Sequence, residues 1–487
     1  MRPRLVTCYH MYQLSEQAEP VPSGSSRTID IGYIGGGSQG WAHTLINDLA
    51  QCPDLVGSVT LYDVNYEMAS KNALLGNRVM DREEAVGDWS FEATRSMDKA
   101  LDGADFVICS IQDPPGETFV HDIDVPQEYG IYQTVADTVG PGGAIRALRA
   151  IPQYREIAAT VRERCPDAWV INYTNPMTVC TRTLYEEFPD IKAIGLCHEV
   201  FKTQKLFAEM AERYIDEAED VARDEVRVNV KGVNHFTWVD EARWRDRDVF
   251  QYLDEELERR KPLFDREPGD LDAESYWVNN EEVALDLYDR FGVLGAAGDR
   301  HLVEFVPWYL SIDEPEEIQR YGIRLTPSSA RVSDDEGPDE MERYLEGDAE
   351  FEFHESGEEA VDIMRALSGE GTFVTHLNYP NEGQVDGIPE GAVVETNALL
   401  SGDDVTPLCA GGLPDEVESM VETHVTNQET LVRAGFEGDL DLAFQAFLNE
   451  PLVTVSRDEA QELFAKLVEL ERGYFADYDL DASVLRA

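Results

Sequence analysis

The sequence has little positive charge and very little lysine. Its 487 residues include 97 aspartates and glutamates against 40 lysines and arginines, a formal net charge of −57, and only 8 of the basic residues are lysines. Nucleic acids and anionic membrane surfaces repel so acidic a chain. We therefore expect neither as a partner.

This composition does not indicate disorder, because 43 % of the residues are hydrophobic and 9 % aromatic, enough for a large core. Lysine is more strongly hydrated and more flexible than arginine. Its scarcity, with acid spread along the whole chain, is typical of proteins from salt-accumulating organisms. In molar salt the Debye length falls to about 3 Å, which screens the self-repulsion. The composition therefore predicts a folded, halophilic protein.

Paired cysteines and long apolar runs are also absent. The 7 cysteines are scattered without a CxxC pair, which favours free thiols in a reducing compartment. No apolar run reaches the length of about 18 residues that a membrane span requires. Residues 1–27 lack the apolar segment of a secretory signal. We expect these residues to be a loose leader and the protein to be cytoplasmic.

What the chain does contain is an alternation of strand and helix patterns up to about residue 200. The strand patterns lie at residues 30–36, 58–63, 104–111, 168–174 and 191–196. Such an alternation predicts a parallel sheet with helices on both faces. We place a first domain at residues 28–200 and a second at 201–487.

The second domain has a different pattern. It begins with a long strand or hairpin (VRVNVKGVNHFTWV) and continues with an acidic helical stretch at 251–292. The acidic residues 334–359 predict a solvated surface, and helical periodicity returns at 415–448 and 458–474. This half therefore predicts a mixed α+β domain.

A glycine-rich motif follows the first strand pattern. Its G-x-G-x-x-G spacing predicts a backbone that can approach a pyrophosphate at a helix N-terminus. Asp63, after the second strand, could accept hydrogen bonds from the adenosine ribose and would repel a 2′-phosphate, which favours NAD over NADP. The alternative is an ordinary tight turn followed by a surface aspartate. The predicted cofactor-binding residues are Gly35, Gly36, Gly37, Ser38, Gly40 and Asp63.

Polar side chains follow the later strand patterns. Cys197 and His198 come after the fifth strand, and His235 lies in the hairpin segment. A thiolate and imidazoles near carboxylates at strand ends could bind a borderline-soft divalent metal. Alternatively, these side chains are simply packed in the core.

The order of the motifs then identifies a family. GGGS, ADFV, DTVGPGG, NYTNP, GLCH, GVNHF, GDRH and VVE follow one another from about Thr28 to the C-terminal helices. This series resembles the family 4 glycoside hydrolases, whose fold is that of the lactate/malate dehydrogenase superfamily. The resemblance implies an N-terminal Rossmann-type parallel sheet with a C-terminal mixed α+β domain. It also implies NAD together with a divalent metal, usually manganese.

The family departs from two-carboxylate glycosidase chemistry. The resemblance implies that NAD⁺ oxidises sugar C3, a base removes the C2 proton, the aglycone leaves, water adds, and the hydride returns. It implies Cys197 and His235 as metal ligands and Asp137 and Asn175 as contacts of sugar hydroxyls. Asp299 matches an acid/base catalyst, with a helix cap as the alternative.

Residue His198 follows the predicted ligand Cys197, and its position is linked in the family to anomer specificity. A histidine there implies an α-glycosidase, and an imidazole that only shapes the pocket is the alternative. The C2 base stays open between Asp299, a tyrosine such as Tyr276 or Tyr288, and a metal-bound hydroxide.

Members that act on 6-phosphosugars carry an R-x-G-G-x-x-x-R segment. The corresponding residues 110–117, SIQDPPGE, contain no base and two acids, which predicts an unphosphorylated sugar. The run CHEVFKTQ most resembles the α-galacturonidase branch, and the α-galactosidases are the competing branch. Lys202, Arg300 or His301 could receive a C6 carboxylate, because a buried anion needs a cation.

The alternative outside this family is an NAD-dependent 2-hydroxy-acid or polyol dehydrogenase with the same cofactor domain. Such an enzyme would need no thiolate–metal site, so Cys197 with His235 argues against it. We expect a small carbohydrate as substrate and a homo-oligomer, dimeric or tetrameric.

Overall fold

A computed structural model describes residues 27–486, except 113–115, 265–270, 272–275, 277–278, 330–337, 348 and 350. The predicted leader lies almost entirely outside these described residues. So do Asp113, Pro114 and Pro115 of the segment without basic residues, and part of the acidic segment 334–359.

The strands fall into two groups along the chain. In the described residues they are β1 (Arg27–Ile34), β2 (Leu55–Tyr62), β3 (Asp88–Thr94), β4 (Phe106–Cys109), β5 (Trp169–Asn172), β6 (Lys192–Gly195), β7 (Val226–Val233), β8 (Phe236–Trp244), β9 (Arg247–Asp248), β10 (Leu294–Gly295), β11 (Thr372–Pro380), β12 (Val393–Ser401) and β13 (Asp404–Pro407).

The α-helices connect these strands and close the C-terminal end. They are α1 (Trp41–Ala50), α2 (Tyr66–Met80), α3 (Met97–Leu101), α4 (Glu117–Gln127), α5 (Gly140–Arg164), α6 (Met177–Glu187), α7 (Glu199–Tyr214), α8 (Leu253–Arg260), α9 (Glu282–Phe291), α10 (Asp299–Phe305), α11 (Pro338–Glu346), α12 (Ala360–Leu367), α13 (Asp415–Glu437), α14 (Leu440–Asn449) and α15 (Arg457–Leu470).

The larger sheet contains the predicted parallel strands, together with β3, in the order β3-β2-β1-β4-β5-β6. β4 and β5 are buried at every position, as central strands of a covered parallel sheet are. Their register aligns Ile34 with Cys109, Cys109 with Asn172, and Asn172 with Gly195. The loops after these strands therefore start at one edge of the sheet, where α/β proteins bind ligands.

The sequence patterns missed four strands of this sheet. β3 is the edge strand DWSFEAT, in which buried Trp89 and Phe91 alternate with polar residues. β11, β12 and β13 come from the second half of the chain and continue the sheet antiparallel beyond β6. The division at residue 200 stays a prediction, since both halves contribute strands to one sheet.

A smaller sheet carries the segment predicted as a long strand or hairpin, and the structure shows a hairpin. β7 and β8 pair antiparallel from Val233–Phe236 outward, with β10 and β9 added to β8. His235 lies in the turn with a φ of 65°. The acidic stretch 251–292 contains α8 and α9, and α13, α14 and α15 confirm the C-terminal helical periodicity. No helix among the described residues is long and apolar enough to cross a membrane.

Candidate active site

The glycine-rich loop joins β1 to α1 as predicted. Gly35 has a φ of +88°, and a Cβ there would lie 2.2 Å from the Ser110 carbonyl oxygen, so only glycine fits. The Ser38 hydroxyl accepts a hydrogen bond from Trp41 N at 3.2 Å, while Gly40 occupies the position before the helix. The loop therefore brings its backbone to the N-terminus of α1, where an anion is stabilised.

Asp63 closes this loop from the end of β2. Its Oδ2 accepts a hydrogen bond from Gly37 N at 2.9 Å, and its Oδ1 accepts one from Asn65 N at 2.7 Å. Gly36 N donates to the Tyr62 carbonyl at 3.0 Å. All the predicted cofactor-binding residues are thus together at one sheet edge, and the close-packed glycine backbone fits a pyrophosphate.

Next to this loop is a cavity of about 410 Å³. Several elements contribute to its wall, including the loops after β5 and β6, the β7–β8 turn and the start of α10. The lining residues are Trp41, Val135, Asp137, Tyr173, Asn175, Met177, Leu196, Cys197, His198, Glu199, Lys202, His235, Asn279, Gly298, Asp299, Arg300 and His301. The predicted substrate-binding, metal-binding and catalytic residues, apart from the two candidate tyrosines, therefore line one cavity: Asp137, Asn175, Cys197, His198, Lys202, His235, Asp299 and Arg300.

Three of these side chains form a group that could hold a metal ion. Ligand atoms of Asp137, His235 and His301 all lie within 4.8 Å of one another. The two imidazole rings stack with centroids 3.7 Å apart. The buried Nδ1 of His301 has no hydrogen-bond partner among the described residues. Two imidazoles and a carboxylate suit a divalent ion of intermediate softness.

The protonation pattern of His235 favours metal binding. The Thr138 hydroxyl donates to Asp137 Oδ1 at 2.7 Å and also lies 2.9 Å from His235 Nδ1. Because a hydroxyl has one proton, His235 Nδ1 must donate to Thr138, which leaves the lone pair on Nε2. Burial lowers the pKa of His235, and burial together with His235 lowers the pKa of His301 to about 3. Both rings are neutral, the form that binds metals.

Cys197 lines the same cavity but is not part of this three-residue group. Burial, with the nearby carboxylates Glu395 and Glu199, raises the pKa of its thiol well above the usual range. A cation close to the sulfur would reverse that effect, because a coordinating thiol loses its proton to the metal. His376, on β11, contacts the backbone of Cys197: its Nε2 lies 3.2 Å from the Cys197 carbonyl oxygen. Cys197 stays a predicted ligand.

The turn that carries Asp137 is held by a buried carboxylate. Glu304 Oε1 accepts hydrogen bonds from Val135 N at 2.6 Å and Ala136 N at 3.0 Å. Ala136 has a φ of 62°, a strained value for a residue with a side chain. Sequence analysis missed Glu304, because nothing in the spacing of HLVEFVPWYL distinguishes it from a core-facing helix residue. Its contacts place Asp137 beside the two histidines.

Asn175 and Arg300 lie on either side of this turn. Asn175 Nδ2 donates to Asp137 Oδ2 at 3.2 Å, and its buried Oδ1 has no hydrogen-bond partner among the described residues. Arg300 Nη2 donates to the Thr134 carbonyl at 2.6 Å and to the Thr326 hydroxyl. Arg300 therefore supports the turn as well as lining the cavity.

Lys202 is paired with a carboxylate that the sequence analysis did not single out. Its Nζ lies 2.6 Å from Glu199 Oε1, while Glu199 Oε2 accepts a hydrogen bond from Gly298 N at 2.7 Å. Burial opposes ionisation of Glu199, but the ammonium of Lys202, which also donates a hydrogen bond to it, helps to keep its pKa below the ordinary range. A negative charge is thus fixed beside Lys202.

Asp299 is fully buried and caps a helix, though not its own. Its Oδ2 accepts a hydrogen bond from Glu282 N at 2.8 Å and its Oδ1 one from Ala284 N at 3.1 Å, at the start of α9. Burial raises its pKa to about 7. Both oxygens are engaged by backbone, so the contacts favour a structural role. The acid/base role that the resemblance implies stays a prediction.

The two tyrosines considered as bases lie elsewhere. Tyr288 donates to Asp254 Oδ1 at 2.9 Å, and Tyr276 lies under the Arg324 guanidinium, whose carbon is 5.5 Å from the ring centroid. Neither lines the cavity, whereas Tyr173 does. Burial raises the pKa of Tyr173 well above its usual value.

Comparison with known proteins shows which family has this fold and this cavity. The profile of the family 4 glycosyl hydrolases matches residues 30–213, and that of the family 4 C-terminal domain matches residues 230–453. The chain therefore belongs to the family 4 glycosyl hydrolases.

Named relatives are similar over nearly the whole chain. An α-galacturonidase of Thermoanaerobacterium saccharolyticum is 47 % identical over 94 % of this chain and 99 % of its own. An α-galacturonidase of Bacillus subtilis is 45 % identical over 91 % and 97 %. An α-galactosidase of Bacillus subtilis is 28 % identical over 86 % and 92 %.

Solved structures confirm the fold. That of a Bacillus subtilis protein described as a glucosidase has a TM-score of 0.84 at 44 % identity and covers 90 % of this chain and 99 % of its own. That of the 6-phospho-β-glucosidase from Thermotoga maritima with manganese, NAD⁺ and glucose-6-phosphate has a TM-score of 0.72 at 20 % identity over 92 % and 99 %. The predicted Rossmann-type sheet with a C-terminal mixed domain is thus confirmed.

Proposed function

We propose that this protein is an α-galacturonidase. It hydrolyses unphosphorylated α-galacturonides and requires NAD and a divalent metal, for which manganese is the expected ion. The observation that carries the proposal is the gradient of similarity among relatives. Enzymes named α-galacturonidase are 47 % and 45 % identical to this chain, whereas an enzyme named α-galactosidase is 28 % identical. Family membership sets the dehydrogenase alternative aside.

The two groups that the family implies fit the residues present. The glycine backbone at Gly35–Gly37 with Asp63 fits NAD, and the neutral rings of His235 and His301 with Asp137 fit a divalent metal, with Cys197 as a further predicted ligand. When bound, NAD exchanges a hydride with sugar C3 and the metal polarises the neighbouring oxygens. The cavity lies beside the glycine loop, as this chemistry requires.

The chain's own residues then bind and orient the sugar. Asn175 Oδ1, which is buried without a partner among the described residues, is placed to accept a hydrogen bond from a sugar hydroxyl, and Asp137 is fixed beside it. Lys202 and Arg300 are cations in the cavity wall, and a C6 carboxylate buried there needs such a partner. The two cations in the wall, of which Lys202 is paired with Glu199, support a uronide over a neutral galactoside.

The proton at sugar C2 must pass to a basic group of the cavity. Asp299 is the candidate that the family resemblance implies, with a pKa of about 7 set by burial, but both of its oxygens accept backbone hydrogen bonds. Tyr173 is the tyrosine of the cavity wall, and burial raises its pKa well above the usual value. His198 lies at the more exposed end of the cavity and is proposed to contact the α-linked substrate on the side of its glycosidic bond.

The decisive experiment compares nitrophenyl α-galacturonide with α-galactoside, each with NAD⁺ and Mn²⁺ in molar KCl. We expect a kcat/KM at least about tenfold higher for the uronide, because a charged hydrogen bond contributes roughly 1.5–3 kcal/mol. A preference for the galactoside would instead place the protein with the α-galactosidases.

In D₂O the released sugar should carry deuterium at C2, since the proton removed there is replaced from solvent. Product with protium at C2 would contradict this chemistry.

We further propose that the enzyme is halophilic, cytoplasmic and homo-oligomeric. The net charge of −57 supports the first point, and the free thiols of the described cysteines support a reducing compartment. The thermal midpoint should be lower in about 0.01 M than in about 2 M KCl, because the Debye length differs roughly tenfold. Equal midpoints would contradict halophilic adaptation, and sedimentation in molar KCl tests the oligomer.

A further inference from the structure

Residues 354–359, here called the strap, connect the helix after the glycine loop to the cavity wall. At one end, the His354 carbonyl accepts a hydrogen bond from Asn47 Nδ2 at 2.8 Å. The Ser356 hydroxyl donates to Asp48 Oδ2 at 2.8 Å. Asn47 and Asp48 belong to α1, which starts directly after the glycine loop. This end of the strap is therefore fixed to the cofactor-binding part of the fold.

The other end of the strap is fixed near α7. Arg223 donates to Glu359 Oε1 at 2.9 Å and to the Gly357 carbonyl at 2.7 Å. The guanidinium carbon of Arg223 also lies 3.7 Å from the ring centroid of Phe201, on α7. Glu359 further accepts a hydrogen bond from the Thr375 hydroxyl. Glu358 thus sits between two anchored points.

Glu358 reaches the cavity through His198. Its Oε1 lies 3.3 Å from His198 Nδ1, and its side chain is only 18 % exposed, against 45 % for His198. Its backbone N donates to the Ser356 hydroxyl at 3.0 Å. Because an ionised carboxylate only accepts hydrogen bonds, Nδ1 carries a proton toward Glu358. The opposite edge, Nε2, lies 3.7 Å from Glu199 Oε1, and Trp41 stacks on the ring at 6.0 Å.

We propose that Glu358 is a positioning residue for substrate binding, which orients the His198 ring at the exposed end of the cavity. This inference rests on the proposed function for the identity of the substrate. The metal-binding group includes the buried His235, whereas His198 is exposed. Glu358 should consequently affect how tightly the glycoside is held more than the rate of the chemical steps.

The test compares Glu358→Gln with Glu355→Gln in the holoenzyme. Glu355 is an exposed residue of the same strap, so it is a matched control for the loss of one charge. In E358Q the KM for nitrophenyl α-galacturonide should rise about tenfold, equal to about 1.4 kcal/mol, while kcat changes less than about threefold. E355Q should match the wild type. The KM of the double variant E358Q/H198N should equal that of H198N alone, because Glu358 acts through the ring.

Unchanged KM in E358Q, or additive effects in the double variant, would overturn the role of Glu358. A second readout is independent of the substrate. In protein labelled with ¹⁵N-histidine, the Nδ1 resonance of His198, assigned by its loss in H198N, should shift in E358Q and not in E355Q. An unmoved resonance would also overturn the inference. Wild-type protein that hydrolyses no α-galacturonide while this resonance shifts would contradict only the proposed substrate.

Discussion

The glycine-rich loop and the adjoining cavity are built in different ways. In the loop, residues within one β-α-β unit contact one another, and backbone N–H groups make the bonds, as between Gly37 N and Asp63. In the cavity, side chains from distant elements converge, as between Asp137 and Asn175 or His235 and His301. The glycine-rich loop is therefore determined by contacts within one β-α-β unit, whereas the cavity depends on the packing of both halves of the chain.

The substitutions with the largest expected effect disrupt the cavity and leave the glycine-rich loop intact. His235→Ala or Cys197→Ser should lower kcat with Mn²⁺ by about 10³-fold or more, because the metal loses a donor and its Lewis acidity at the sugar. The dissociation constant of NAD⁺, measured by fluorescence quenching, should change little. Cys409→Ser is the matched control, since Cys409 does not line the cavity. Full activity in both variants would remove these residues from the metal site.

A smaller effect distinguishes the three-residue group from the pair predicted by the resemblance. His301→Ala should weaken Mn²⁺ binding by roughly 10–100-fold, comparable to the loss of one supporting contact in known metal sites. Titration of the protein with Mn²⁺ followed by electron paramagnetic resonance measures this directly. An unchanged affinity would exclude His301 as a metal ligand.

In the loop, two glycines should respond differently to the same substitution. Gly35→Ala should weaken NAD⁺ binding about tenfold or more, because the new Cβ would clash with the Ser110 carbonyl at a φ of +88°. Gly40→Ala should have a much smaller effect, since a Cβ there meets nothing within 4 Å. Equal losses in both variants would show that the ligand, and not the protein's own packing, requires glycine.

The smallest expected effect concerns Asp299. Asp299→Asn removes one of two backbone-accepting oxygens at the start of α9 and should lower the free energy of unfolding by about 0.5–2 kcal/mol. A kcat reduced by less than about tenfold would show that Asp299 acts as a helix cap. A loss of about 10²–10⁴-fold in kcat would instead support acid/base catalysis.

The same variant has a pH signature. Burial raises the folded-state pKa of Asp299 to about 7, so the folded protein holds a proton that the unfolded chain releases near its ordinary, lower pKa. The stabilisation linked to this proton is present at low pH and is lost as the pH rises toward 7. Between about pH 5 and pH 8 the wild type should lose more stability than D299N. Parallel unfolding curves would contradict the raised pKa.

Sequence patterns predicted the elements whose signal is local. The glycine loop with Asp63, the parallel strands from β1 to β6 other than β3, and the β7–β8 segment were all predicted, because apolar runs and turn residues determine them over short distances. The motif order also predicted most of the polar residues that line the cavity, but not Glu199 or Asn279. β3 was missed because an edge strand mixes polar residues with its buried tryptophan and phenylalanine.

Only the tertiary structure decided how these parts combine. No pattern indicates that β11 pairs with β6, that Glu304 holds the Asp137 turn, or that His301 stacks on His235. Asp299 illustrates the reason: its spacing suggested a cap for its own helix, yet its carboxylate caps α9. By itself the sequence determined the charge of the protein, its local secondary structure and the types of side chain available to bind a ligand. Contacts between distant segments decided which donors meet, because they depend on packing that no short window of sequence contains.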